Sequence, residues 1–367
     1  MELDDAGARG RLRPDERSCA VSHLVEHVER LHRASGDRFP VARAVGEDWL
    51  LSRRGSWSAG CWAASLWLSA RVRDDRRASA ARACTEWLAR SADEDTSARA
   101  TIFWLGSAAA PPLMDVRVWE RARDVTARVV GTFDAARGIV PDGAALGRGA
   151  AGLHEAMIDA GFAVSRLLHR MDGAVPGAGA VAQRHVETLL SGVTDGGRAH
   201  VTCGGGPPAG PCGNAGVWAR GQAWALLAAV AAGWDAPGDG ALDHARALAR
   251  HFAALPVPAP DLLEAVPQGA QPVRPSIVDT GATAIAAYAL LGLAEQDPVD
   301  GERHRALAEN LLAVLVRAHL TDPRAGLLHG SYRLTGLHAQ EVESVWGNFF
   351  LLAALLVTDA GLPADTF

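Results

Sequence analysis

Apolar residues recur at three-to-four spacing along most of the chain, and runs of alternating Val, Ile and Thr are few. That spacing predicts helices, near 17–34, 58–73, 76–91, 96–108, 113–135, 154–171, 177–193, 217–233, 239–255, 278–296, 300–319 and 341–359. Two kinds of helix alternate. Those near 58–73 (AGCWAASLWLSA), 217–233 (ARGQAWALLAAVAA) and 278–296 (DTGATAIAAYALLGLA) are apolar and small nearly all round, as in a helix buried on every side. Others, such as ALDHARALARHF and ERHRALAENLLAVLVRAHL, carry charge on one face only and belong to an outer layer. Buried and amphipathic helices joined alternately by short loops describe six parallel helices inside an antiparallel ring. The expected fold is all-α, an (α/α)6 barrel of six helical hairpins. It fills residues 1–367 as a single domain, with residues 1–15 as a flexible N-terminal segment.

Parallel inner helices bring their starts to one mouth, and those starts are unusually polar or aromatic. They carry Trp57 and Trp62, Glu94-Asp95, His154-Glu155, Trp218 with Arg220, Asp279-Thr280, and Glu341 with Glu343. Free backbone N–H groups and positive dipole ends at that mouth favour an anionic ligand. An acidic residue at a helix start is also a common cap, so Asp95, Glu155 and Asp279 each have a structural reading too.

Composition narrows the function. The chain of 367 residues is 49% hydrophobic and 21% charged, which suits a soluble globular protein. Its net charge of −6, with basic residues scattered, argues against nucleic acid or an anionic membrane as partner. The start, MELDDAGARGRLRPDER, has no apolar core of a secretory signal, and no apolar run reaches spanning length, so a cytoplasmic location is expected. All 36 basic residues are arginine, which excludes lysine Schiff-base chemistry and Walker-type phosphate binding. The five cysteines, Cys19, Cys61, Cys84, Cys203 and Cys212, are odd in number, lack CxxC spacing and read as reduced thiols. No cofactor or metal is expected.

The segment WARGQAW at 218–224 resembles the signature of the unsaturated glucuronyl hydrolases, glycoside hydrolase family 88, whose fold is the (α/α)6 barrel. Further similar segments follow in order: SGDRFP at 35–40, WSAGCWAASLWL at 57–68, DTGATAIAAYALLGLA at 279–294, then GSYR and VWGNFFLLAALL. The resemblance implies hydration of a 4,5-unsaturated uronic acid, in which an acidic side chain protonates C4, water adds at C5 and the hemiketal collapses to release the aglycone. The substrate it implies is a small, anionic carbohydrate or glycoside.

Carried over residue by residue, the resemblance makes Asp95 in DEDTSARA the substrate-positioning carboxylate, although Glu94 and Thr96-Ser97-Ala98 replace the residues expected around it. The family's acid/base lies in an Ile-Asp-x-x-x-Asn segment. Matched to LHEAMIDAG, that segment makes Glu155 the acid/base, with Asp159 at the asparagine's place. His200, Arg220 and Trp224 match substrate-contacting residues, and Trp57 matches an aromatic wall; Trp218, which opens the signature, is expected to bind substrate beside them. CGGGPPAGPCGN replaces a His-Gln-Gly loop, and the tryptophan expected after the fifth helix is absent from RGIVPDG.

Competing readings stand beside these. Trp218 and Trp224 could seal an inner-helix interface, and Arg220 needs an anionic partner that is either a structural carboxylate or the ligand's own. Asp279 and Glu343 could be partners of Arg220 or loop caps. A zinc site of His200, Cys203 and Cys212 is disfavoured by spacing. The substituted segments also admit a tailoring enzyme acting on another sugar or sugar-derived product, or a non-catalytic sugar-binding relative.

Overall fold

The computed structural model describes residues 10–73, 78–108, 116–146, 149–195, 198–199, 202–204, 218–236, 238–260, 277–334, 339–359 and 361–367. Among them are twelve helices longer than a single turn: α1 Pro14–Ser35, α2 Ala59–Arg73, α3 Ala78–Leu88, α4 Ala98–Phe103, α5 Val116–Gly131, α6 Ile158–Met171, α7 Ala178–Val193, α8 Ala219–Asp235, α9 Asp239–Ala253, α10 Thr280–Gln296, α11 Gly301–Val314 and α12 Val345–Asp359. The even-numbered helices pack in a closed ring, α2 to α4, α6, α8, α10 and α12 and back to α2. The odd-numbered ones lie outside. This is the (α/α)6 barrel.

Side-chain size explains the ring. In α8 every residue from Ala219 to Ala232 is buried, and in α10 every residue from Thr280 to Leu293. Such helices can pack on all sides because so many of their residues are Ala or Gly. At Gly292 of α10 a Cβ would overlap the indole of Trp234 on α8, so glycine there lets the two helices close. The outer helices show one-sided burial, as in α1, where Val21, Leu24, Val25, Val28 and Leu31 face inward. Pro14 at its first position and Glu16, whose carboxylate accepts the Arg13 backbone N–H (2.8 Å), begin that helix.

Of the N-terminal segment expected to be flexible, Gly10 and Arg11 reach α11, while Pro14 and Asp15 open α1. The Gly10 N–H donates to Asn310 (3.0 Å), and Leu12 is buried. Residues 1–9 lie outside the described residues.

Nine short strands are present among the described residues, more than the periodicity predicts: β1 Phe39–Pro40, β2 Ala42–Ala44, β3 Leu51–Ser52, β4 Glu155–Met157, β5 Thr194–Asp195, β6 Arg198–Ala199, β7 Thr202–Gly204, β8 Gly330–Tyr332 and β9 Gln340–Ser344. Two of them correct helix starts. β4 pairs antiparallel with β7, and β9 lies between β2 and β8, so α6 begins at 158 rather than 154 and α12 at 345 rather than 341. β7, the partner of β4, and β2, one partner of β9, are distant in sequence, and that pairing overrides the local period. Among the described residues no helix is long and apolar enough to cross a membrane.

Candidate active site

All six inner helices begin at the same end, and side chains connect those beginnings in two groups. The first is aromatic. Trp57, just before α2, lies 4.9 Å centroid to centroid from Trp346 at the start of α12 and meets Trp224 of α8 edge-on at 6.4 Å. Its indole N–H points to the Tyr332 hydroxyl (3.5 Å), and Tyr332 packs edge-on against Trp346 (4.9 Å). Trp57 is half-buried, which leaves part of its ring open at the mouth.

Trp224 lies one layer deeper and is only 1% exposed. It stacks on Phe162 of α6 at 5.7 Å and 13° and meets Phe350 edge-on. Trp224 thus forms a floor beneath Trp57, with Phe162 stacked on one face and Trp57 and Phe350 meeting it edge-on.

Arg220 has the structural carboxylate that its burial requires. Its Nη1 donates to Asp279, which is fully buried, and to the Ser331 carbonyl (2.8 Å). The guanidinium is flanked by the half-buried Trp218 (5.1 Å) and by Trp346 (5.5 Å). Gly221 allows the Trp218 ring to lie this close, since a Cβ there would press on the indole at 3.0 Å. Asp279 also caps α10, accepting the Ala282 N–H at 3.0 Å. It is thus both cap and partner of Arg220. Gln222 of the same signature is fully buried and donates to the Leu248 carbonyl of α9 (3.3 Å), so part of that motif serves packing.

The second group is acidic. Asp95 and Ser97 precede α4, Glu155 lies on β4 ahead of α6, and the segment 140–145 stitches them together. The Asp142 N–H donates to the Glu155 carbonyl (2.7 Å), while the Asp142 carbonyl accepts the Ser97 N–H (2.8 Å). Two residues on, the Ala144 N–H donates to the Asp95 carboxylate (2.9 Å) and the Ala145 N–H to the Asp95 carbonyl (3.0 Å). Asp95 and Glu155, sixty residues apart in sequence, are therefore neighbours across one loop. Asp95 is exposed and Glu155 half-buried.

Arg99, the second residue of α4, is buried; desolvation lowers its pKa and the nearby Asp95 charge opposes that shift. The Phe162–Trp224 stack joins the acidic group to the aromatic one.

Asp159 was placed by the sequence only as a substitute for asparagine, yet it is half-buried in the first turn of α6. It is the second residue of α6, as Arg220 is the second of α8, and each stands about one turn above its half of the Phe162–Trp224 stack. Glu155 lies a turn upstream on β4, where alternation puts it on the face opposite the buried Ala156. Asp142, Tyr332 and Trp346 were also not singled out. Tyr332 and Trp346 lie within GSYR and VWGN, and only the fold shows that these segments meet.

His200, most of CGGGPPAGPCGN and Cys212 lie outside the described residues. Among the described residues one group could hold a metal ion, Asp297, Asp300 and His304, but Asp297 is already held bidentately by Arg246 (3.0 and 2.7 Å).

No protein-family model matches the chain. In sequence it is 30% identical over 156 residues to the unsaturated glucuronyl hydrolase of Bacillus sp. (strain GL1), a match covering 40% of this chain and 40% of that relative. In structure it matches the unsaturated glucuronyl hydrolase of Bacillus sp. GL1 with a TM-score of 0.83 at 23% identity, over 95% of this chain and 98% of that one. The unsaturated glucuronyl hydrolase from Streptococcus agalactiae matches with a TM-score of 0.81 at 18% identity, covering 96% and 94%. A variant of that enzyme complexed with dGlcA-GalNAc6S matches at 0.75 and 17%, covering 99% and 97%. These relatives share the barrel with this chain.

Proposed function

We propose that the chain is a divergent relative of the unsaturated glucuronyl hydrolases, a glycoside hydrolase that hydrates the C4=C5 double bond of an unsaturated uronyl glycoside. The observation that carries this reading is the stitching of Asp95 to the start of α6 by residues 142–145 at the mouth of the inner ring. Hydration needs one carboxyl that gives a proton to C4 and takes one from the water attacking C5, and a second that holds sugar hydroxyls. The hemiketal so formed then opens and the aglycone leaves. Asp95, exposed and fixed by two backbone N–H groups, fits the holding role. Trp57 offers an open ring as the wall, and Trp218 and Arg220 border the place where the uronate carboxylate would lie.

The acid/base is one of two carboxyls near the start of α6. Glu155 is the candidate read from the sequence. Asp159 is a second, favoured because it stands level with Arg220 on the adjoining inner helix. The two are separated with an unsaturated chondroitin or hyaluronan disaccharide, whose ultraviolet absorbance falls as the double bond is hydrated. Substitution of the acid/base, as Glu155→Gln or Asp159→Asn, abolishes turnover and leaves substrate binding intact, whereas substitution of the other leaves most of the turnover. Full activity in both variants would refute the assignment of the acid/base to this part of the mouth.

A further inference from the structure

A carboxylate lies buried in the loop where the resemblance leads one to expect an aromatic ring. Asp142, in RGIVPDG, is only 6% exposed, and its Oδ1 accepts the Ser97 hydroxyl at 2.8 Å. The same Ser97 donates its backbone N–H to the Asp142 carbonyl. Ser97 and Asp142 are therefore joined at two points, one through the main chain and one through side chains, and the loop cannot pivot about a single hydrogen bond.

Other contacts make that junction matter for the mouth. Before Asp142, the Val140 N–H is anchored on Nδ1 of the buried His185 (3.1 Å). After it, Gly143 takes φ +85° and runs so close to the Asp95 carbonyl that a Cβ would overlap it, while its N–H donates to Gly152 (2.8 Å). Ala144 and Ala145 then hold Asp95.

We propose that Asp142 is a positioning residue, which fixes the distance between Asp95 and the carboxyls near the start of α6 by locking the loop to Ser97. This rests on the hydration reading above, but the lock itself can be measured without it. Without the carboxylate, the Ser97–Asp142 junction keeps only its main-chain bond, and Asp95 can shift with the loop it holds. A displacement of about 1 Å of a reacting or positioning group lowers turnover by about 100-fold.

The test compares Asp142→Ala, Asp142→Asn and Ser97→Ala on the unsaturated disaccharide and follows backbone amide exchange. Asp142→Ala lowers kcat by about 10- to 100-fold with KM changed less than about 3-fold, and Asp142→Asn, which keeps an oxygen for the Ser97 hydroxyl, restores most of it. Ser97→Ala, a smaller change, lowers kcat in the same sense should Asp142→Ala fail to fold. The Ala144 and Ala145 amides exchange faster in Asp142→Ala and at the wild-type rate in Asp142→Asn. A wild-type kcat in Asp142→Ala, or equal losses in the Ala and Asn variants, would overturn the proposal. A wild-type protein inactive on the disaccharide refutes the hydration reading instead. Exchange at Ala144 and Ala145 then decides the lock alone, and unchanged rates in Asp142→Ala overturn it.

Discussion

Replacing Arg220 by methionine tests a buried ion pair of the mouth. Asp279 is wholly buried and Arg220 is 9% exposed, so the single change strands a carboxylate out of water. Breaking a buried pair from one side costs about 3–5 kcal/mol. The unfolding entropy of about 2.1 cal/mol/K per residue, over 367 residues, is about 0.8 kcal/mol/K. Arg220→Met should therefore lower Tm by about 4–6 °C. Asp279→Ser, which leaves a hydroxyl to cap α10, strands the guanidinium and should cost a similar amount. In the double variant no charge is stranded, and its stability should lie within about 2 kcal/mol of wild type. Urea unfolding of the four proteins reads this cycle. A double variant that loses the full sum of the two single changes would refute the claim that Arg220 and Asp279 stabilise each other. The folded double variant also isolates function, since its KM should rise more for an acidic substrate than for a neutral analogue.

Burial alone would raise the pKa of Glu343, but its bonds to His27 (2.6 Å), Arg43 (2.7 Å) and Asn348 (2.9 Å) outweigh that and hold it down to about 2. Its ionised form therefore contributes stability that is full above about pH 4.5 and is lost as pH falls toward 2, up to about 3 kcal/mol. Glu343→Gln should flatten that acid limb in a series of Tm against pH, and an unchanged limb would contradict it. Trp224→Ala should cost about 3–5 kcal/mol of stability because its ring is packed on all sides. Trp57→Ala should act mainly on KM, and unfolding curves together with kinetics distinguish the two. Gly143→Ala puts a methyl against the Asp95 carbonyl at a positive φ. It should lower kcat with little change in circular dichroism, and unaltered kcat would show that the loop tolerates the shift.

The barrel was legible because it is written locally. A helix as uniformly small and apolar as ARGQAWALLAAVAA has nowhere to go but the interior, and one like ALDHARALARHF has one wet face. The mouth was legible in part, since parallel inner helices must begin together and the residues at their starts can be read in order. What stayed hidden depends on contacts between distant segments. The period carried the helix at 154 through a segment that β7, some 45 residues later, draws into a strand, and that strand separates Glu155 from the first turn of α6. Ile158-Asp159 is itself an Ile-Asp pair, the signal in the sequence that points to Asp159 beside Glu155. Asp142 showed only as a missing tryptophan, because nothing near it in sequence reveals its partner Ser97. The partner of Arg220 was one of two open readings until the fold brought Asp279, 59 residues away, against it.

The most direct test of the whole account is incubation of the purified wild-type protein with an unsaturated uronyl disaccharide, following ultraviolet absorbance and the masses of the products. The account predicts that absorbance decays and that the uronyl product carries the mass of one added water while the second sugar is released. Persistent absorbance with the disaccharide intact, or cleavage that leaves the double bond in place, would contradict it.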